Sequence, residues 1–192
     1  MDRGDKMIIY FVSSNEYKMK EVEEILNSDT ITIRQAAQKI NEIQSQDMNE
    51  IVKDKVIKAF TMIRRPVIVE QTGLLIKEFG NLPGGLTQIF WDSLEADRFS
   101  QIFSSVGTAE VTAKTVLAFC DGKRVYTFEG TCEGHIVSPP RGNRDFQWDC
   151  VFEPNGYKET FAEMGEKKNE ISMRKEALEK LRKFLENQKN DR

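Results

Sequence analysis

Apolar and polar positions along this chain switch between a period near two and a period near 3.6, and the switch points predict its elements. Met7–Ser14 (MIIYFVSS) is β-rich and mostly apolar, as a buried strand should be. Ser14-Asn15 supplies turn chemistry, and Tyr17–Asn27 then places Met19, Val22, Ile25 and Leu26 on one helical face. Met48–Arg65 predicts a second helix, in which Ile51, Val52, Val56, Ala59, Phe60 and Ile63 repeat at helical spacing. Pro66–Glu70 (PVIVE) predicts another short buried strand, broken by Gly73. Gly80–Gly85 (GNLPGG) reads as a loop and Thr87–Val106 as one or two helices. Ala109–Phe119 and Arg124–His135 are strand-like and flank the turn signal Asp121-Gly122, which predicts a long hairpin. Ser138–Asn143 (SPPRGN) is loop. Glu170–Gln188 predicts a terminal amphipathic helix carrying Ile171, Ala177, Leu178, Leu181 and Leu185, with Glu186–Arg192 frayed. A strand–helix opening followed by a long hairpin implies an α/β fold with a mixed sheet.

Composition narrows the class. A chain of 192 residues suggests one domain, and it buries enough surface to need neither disulfides nor a metal to hold its core. Lys plus Arg total 28 and Asp plus Glu 31, a net charge of −3 that argues against a nucleic-acid binder with a strongly basic face. The longest apolar runs, Pro66–Val69 and Val116–Cys120, are too short to span a bilayer. Met1–Lys6 is charged and precedes a strand-like run with no small-residue cleavage site, so no signal peptide is expected. Three cysteines without a C-x-x-C pair and a single histidine, His135, speak against a disulfide framework or a zinc site. A reducing cytoplasm fits that usage.

Several segments carry candidate chemistry, each beside a plainer reading. Ser13, Ser14, Asn15 and Lys18 sit at a strand-to-helix junction, where backbone N–H groups and the helix dipole favour an anion such as a triphosphate. The plainer reading is that Ser14 or Asn15 caps a surface helix. Glu42 is a candidate magnesium ligand, and Lys53, Lys55 and Lys58 are candidates to neutralise phosphate, against a solvated helix face. Glu70-Gln71-Thr72-Gly73 lies beyond a buried strand, where open α/β sheets bind ligands, and Glu70 is a candidate metal ligand, against turn chemistry. Phe146-Gln147-Trp148-Asp149 offers aromatics and a carboxylate to a base, against core packing. Lys168, Asn169, Ser172 and Arg174 surround a helix start, and a basic cluster there suits phosphate or an exocyclic oxygen, against an ordinary helix entry.

Together these segments resemble the inosine triphosphate pyrophosphatase family, in order and over nearly the whole chain. Ser13–Glu21 is similar to the family's T/S-x-N-x-x-K-x-x-E, Glu42-Ile43-Gln44 to its E-x-Q, and Pro66–Leu74 to its P-x-x-x-E-D-S/T-G-L. Leu82-Pro83-Gly84 resembles its L-P-G loop; Gly130, Gly134 and Arg141-Gly142 match its glycines and R-G pair. Phe146–Met164 resembles F-G-Y/W-D-P-x-F-x-P-x-G-x-x-x-T-F/Y-A-E-M, and Lys167–Arg174 its K-N-x-x-S-H-R. The resemblance implies a single two-lobed unit over residues 1–192, with a long mixed central sheet flanked by helices and a cleft between the lobes, commonly a homodimer. It implies magnesium-dependent hydrolysis of deaminated or otherwise modified purine nucleoside triphosphates to nucleoside monophosphate and pyrophosphate. Ser13 to Lys18 and Lys55, with Lys53 and Lys58 as rivals for the helix lysine, would then hold phosphates, Glu42 the magnesium ion, and Thr72 would supply the hydroxyl beside the catalytic carboxylate. The base would lie against Phe146, Gln147, Trp148 and Asp149, with Lys168 and Arg174 closing its far side.

Departures fall in the same places. The family's general-base aspartate is Gln71 here, and an amide takes no proton from water at neutral pH. Glu70 is adjacent, but neighbours on a strand point to opposite faces, so it substitutes only if the strand end twists. The S-H-R histidine is Met173, which removes a donor near the base and weakens selection for a 6-oxopurine. Gln147 replaces a glycine and Cys150 a proline, while His135 is expected to be structural. The enzyme is therefore expected to be slow or altered in specificity, the alternative being a catalytically impaired nucleotide-binding relative that acts as a sensor or partner subunit. An interaction module with a repurposed cleft is the third reading.

Overall fold

The central strands of this chain are apolar on both faces because helices cover both. The computed structural model describes residues 6–105 and 110–190. The strands are β1 (Met7–Val12), β2 (Ile31–Ala36), β3 (Val67–Ile76), β4 (Leu82–Gly84), β5 (Val111–Cys120), β6 (Val125–Ile136) and β7 (Phe152–Pro154). The helices are α1 (Glu16–Leu26), α2 (Met48–Ile63), α3 (Thr87–Ser104), α4 (Phe161–Met164) and α5 (Met173–Asn190). One mixed seven-stranded sheet runs β2-β1-β3-β5-β6-β7, with β4 paired to β3. β1 is parallel to β2 and β3, whereas β5 is antiparallel to both of its neighbours, β3 and β6. The expected hairpin is the β5–β6 pair, from Val111 opposite Gly134 to Cys120 opposite Val125.

Three apolar clusters share this sheet. α2 lays Met48, Val52, Val56 and Ala59 against Val67, Val69, Val116 and Ala118. On the opposite face α1 and α5 lay Val22, Leu26, Ala177, Leu178 and Leu181 against Ile9, Phe11, Ile68 and Leu117. Farther along β3 and β5, Leu74, Ile76, Val111 and Ala113 join Phe99, Phe103, Phe152 and Phe161.

Several elements differ from the pattern-based expectation. β3 is not broken at Gly73: its partners continue unbroken to Ile76, opposite Val111. The glycine is there because a Cβ would strike the carbonyl of Gly84, where the Leu82-Pro83-Gly84 stretch, expected as loop, pairs as β4. β2 was not expected; only Ile31 and Ile33 bury their side chains, too few to register as alternation. α3 is two helical runs merged at Glu95, whose φ of 55° breaks the helix. α5 starts at Met173 and continues to Asn190, past the expected fraying point. The expected helix end at Val106, strand start at Ala109 and the last two residues lie outside the described residues.

Candidate functional site

The site begins with a gap in the ladder. β1 pairs with β3 only through Tyr10–Val67 and Phe11–Ile68, and β4 joins the same edge at Leu74. Between them, residues 69–73 of β3 have β5 on one side and, among the described residues, no strand on the other. A backbone edge left open beside the carboxyl end of a parallel strand is where open sheets take ligands. A cavity of about 320 Å³ occupies this place, lined by Ser13, Ser14, Lys18, Glu42, Lys55 and Glu70, with Gln38, Lys39 and Ile40 on its rim.

At the end of β1 the chain turns into α1. Asn15 is the N-cap: its side-chain oxygen accepts the Lys18 N–H at 3.1 Å, and its own N–H donates to Ser13 Oγ at 3.1 Å. The capping reading holds, and the cap fixes a helix start whose Ser13, Ser14 and Lys18 line the cavity. From that first turn Lys18 Nζ reaches Glu70 at 2.6 Å. On the other side α2 contributes Lys55, whose Nζ pairs with Glu42 and donates to the open Glu70 carbonyl at 3.1 Å. Lys53 and Lys58 do not line the cavity; Lys58 bonds Asp54 and the Asn41 carbonyl.

Strand alternation separates Glu70 from Gln71. Val67 and Val69 face α2 whereas Ile68 faces α1 and α5, so Glu70 points to the α1–α5 side and Gln71 to the α2 side. Glu70 is 5% exposed and bonded by Arg174, Nε at 2.9 Å and Nη2 at 3.3 Å, as well as by Lys18. Those two cations hold its carboxyl far below the usual range against the burial that opposes them. Glu70 therefore sits on the face of β3 opposite Gln71, with its carboxylate paired to Lys18 and Arg174 at the cavity wall. Gln71 donates to the Gly85 carbonyl at 3.3 Å. Thr72 shares a 2.8 Å hydroxyl contact with Thr115 across the β3–β5 pair.

Arg174, expected to close the far side of the base, is instead 3% exposed between two acids, and Nη1 bonds Glu21 at 3.0 Å. Ser172 Oγ bonds the same Glu21 at 3.2 Å. The network therefore ties α1, β3 and the start of α5 together; burial alone would disfavour the Arg174 charge, and the Glu70 and Glu21 carboxylates outweigh it and hold the guanidinium above its ordinary value. Met173 is buried in the apolar cluster under α3 and α4. Trp148 is 3% exposed, set edge-on to Phe152 and tilted on Phe161. Neither side chain presents a surface to a ligand, because both fill core space.

Phe146 and Asp149 are placed differently. Lys168 pairs with the Asp149 carboxylate and holds its ammonium 4.1 Å from the Phe146 ring centroid, a cation–π arrangement. Burial pushes the Asp149 carboxyl above its ordinary value despite Lys168. Gln147 adopts a φ of 45°, the left-handed region that favours glycine, and its amide donates to Gln88 at the start of α3. Tyr17 of α1 meets Phe146 edge-on, with ring centroids 6.4 Å apart, and so brings this segment up to the lysine side of the cleft. The pattern-based reading missed Lys39, which carries no motif signal, and gave Tyr17 no role of its own within the Ser13 to Lys18 stretch. It also gave no role to Glu21, whose partner lies 153 positions away. His135 bonds Glu153 at 3.1 Å on the far edge of the sheet.

Fold and cavity together define an open-sheet α/β protein whose sheet-edge cavity is lined by Lys18, Lys39 and Lys55 with Glu42 and Glu70. The model of the Ham1 family matches residues 9–184, and the chain belongs to that family. It is 40% identical to the inosine triphosphate pyrophosphatase of Yarrowia lipolytica over 182 residues, 93% of this chain and 96% of that one. It is 35% identical to the dITP/XTP pyrophosphatase of Saccharolobus solfataricus over 185 residues, covering 96% of this chain and 95% of the relative. Among solved structures, a HAM1 protein from Coxiella burnetii superposes with a TM-score of 0.79 at 24% identity, over 94% of this chain and 99% of that one, a likeness of fold.

Proposed function

We propose that this chain hydrolyses deaminated or otherwise modified purine nucleoside triphosphates to the nucleoside monophosphate and pyrophosphate. One observation carries the reading. Groups suited to phosphate, drawn from β1, α1, α2 and the segment before it, line a single cavity at the open edge of β3. The α1 N-terminus, Lys18 and Lys55 take the charge of the triphosphate, already positioned by Glu70 and Glu42. Phe146 faces the base, while Asp149 and Lys168 meet its hydrogen-bonding edge. The pyrophosphatase names of the relatives from Yarrowia and Saccharolobus support the same substrate class.

Among the described residues no group of three or more His, Cys, Asp or Glu converges to hold an ion alone. Glu42, partly exposed beside the cavity, remains as a carboxylate ligand, and magnesium is commonly bound by one or two carboxylates together with substrate phosphates. The donor set thus fits a magnesium ion that arrives with the triphosphate, held by Glu42, where it would offset charge on the leaving pyrophosphate. Gln71 leaves the attacking water without a carboxylate base on the α2 face, which sets the expected rate about 10² to 10⁴ below that of a base-assisted enzyme. That residue favours the second reading, a nucleotide-binding relative with impaired turnover. We further propose a single two-lobed unit, cytoplasmic and homodimeric. No helix among the described residues is long and apolar enough to cross a membrane, and sedimentation at micromolar concentration tests the dimer.

The deciding experiment incubates pure protein with ITP, XTP, dITP and the ordinary triphosphates plus magnesium, and measures pyrophosphate. Release from the modified nucleotides in preference to ATP and GTP is expected. Calorimetric binding without release would leave the second reading standing, and neither binding nor release would sink both.

A further inference from the structure

Tyr17 is the most exposed large aromatic among the described residues, at 79%. It occupies the second position of α1, directly before the lysine that reaches Glu70. The buried side of that helix is made by Met19, Glu21, Val22 and Leu26, so Tyr17 has no part in the core. Its ring contact is the edge-on approach to Phe146, 6.4 Å between centroids and 81° between planes. A single pair at that separation covers little of either ring, and most of the Tyr17 surface stays in water. Phe146 meanwhile carries Lys168 at its ring, and Lys168 is bound to Asp149. A phosphate lysine, two aromatic rings and a base-edge pair therefore follow one another across the mouth of the cleft, and the step from the first to the last is made by Tyr17.

From this placement we infer that Tyr17 is a substrate-contacting specificity residue, an exposed aromatic on the phosphate-binding helix that packs on the nucleobase beside Phe146. The inference rests on the nucleotide reading above and adds a residue to it. A purine, flat and with two faces, buries the exposed Tyr17 surface and bridges it to Phe146, whereas a bare triphosphate chain reaches Lys18 and Lys55 and leaves Tyr17 in water. The contact acts on the ring rather than on a hydrogen bond, so it favours purines over the smaller pyrimidines and is indifferent to the tyrosine hydroxyl. Base–aromatic contacts removed by alanine substitution typically weaken binding by roughly five- to a hundred-fold.

The test compares Tyr17→Ala, Tyr17→Phe and the unaltered protein by calorimetry with ITP, a pyrimidine triphosphate and inorganic tripolyphosphate, each with magnesium. Alanine is a strong helix former at this exposed position, so the fold is not at risk. The expected result is a loss of about ten-fold or more for ITP in Tyr17→Ala, full retention in Tyr17→Phe, a smaller loss for the pyrimidine nucleotide, and unchanged tripolyphosphate affinity. An equal loss for ITP and tripolyphosphate would overturn the inference by placing the effect at the helix start. Unchanged ITP affinity in Tyr17→Ala would also overturn it, leaving the nucleotide reading intact. Failure of the unaltered protein to bind either ITP or tripolyphosphate would remove the nucleotide reading and this inference together.

Discussion

Glu70 and Gln71 are neighbours in sequence and belong to different halves of the site. The pair shows how strand alternation gives adjacent residues different partners. Gln71 lies on the α2 face, and on the proposed reading that is the side of the attacking water, so Gln71→Asp is expected to raise pyrophosphate release about 10² to 10⁴-fold. The pH–rate profile should acquire an acid limb that the unaltered protein lacks; no gain in rate would mean that the cleft has diverged beyond that one position. Glu70 instead pairs with two buried or half-buried cations, Lys18 and Arg174, and holds them in place. Removing its charge in Glu70→Gln leaves Arg174 with Glu21 alone and should cost about 3–5 kcal/mol in urea unfolding, the usual penalty for breaking a buried pair. Because Glu70 is held below its ordinary value of 4.5, its contribution is fully present above that pH and lost as pH falls toward the depressed value. The stability gap between the two proteins should therefore narrow below about pH 4.5. Asp149 works in the opposite sense: burial raises its carboxyl, so it costs stability as pH climbs past its ordinary 3.8. Motif positions placed Lys18, Lys55 and Glu42 at one cavity, but the spacing could not reveal that Glu70 and Arg174, 104 positions apart, neutralise each other. That depends on which face of β3 meets α5, a fact of packing rather than of pattern.

At the scale of elements, periodicity located α1, α2, the β5–β6 hairpin and α5, since each repeats enough apolar positions to bury a continuous face. It failed where few side chains carry the signal, as in β2, and where glycine serves close approach rather than a turn, as at Gly73. Gly130 is a second case of the same physics. It lies in the middle of β6, opposite Thr115, where α5 begins. A Cβ there would fall on the Met173 carbonyl and crowd the Ala177 N–H at 2.8 Å. Since these are backbone atoms they move only if α5 moves, and α5 carries Arg174. Gly130→Ala is therefore expected to lower stability by about 1–3 kcal/mol, the range for overpacking, and to weaken ITP binding through the displaced Arg174–Glu70–Lys18 chain. Differential scanning calorimetry and isothermal titration on the same variant check both halves, and a stability loss with unchanged affinity would uncouple the helix start from the phosphate lysine.

Across the whole molecule, the sheet is shared by cores that would otherwise be separable. β3 and β5 are each ten residues long and pass from the cluster under α1 and α5 to the one under α3 and α4 without interruption, paired residue by residue from Val67–Cys120 to Ile76–Val111. The cleft interrupts only the outer edge of β3, so neither core can melt without exposing strands that the other needs. Buried ionic contacts reinforce the join, since Arg174 at the start of α5 is bonded to α1 and β3 at once. The chain should therefore unfold as one cooperative unit, with calorimetric and van't Hoff enthalpies equal. A nucleotide seated between the lysines and Phe146 should stabilise that whole unit by about 2.7 kcal/mol at a hundred times its dissociation constant. Two resolved transitions, or a ligand shift confined to one of them, would show that the parts bordering the cleft fold apart and that the sheet does not carry the coupling its continuous strands provide.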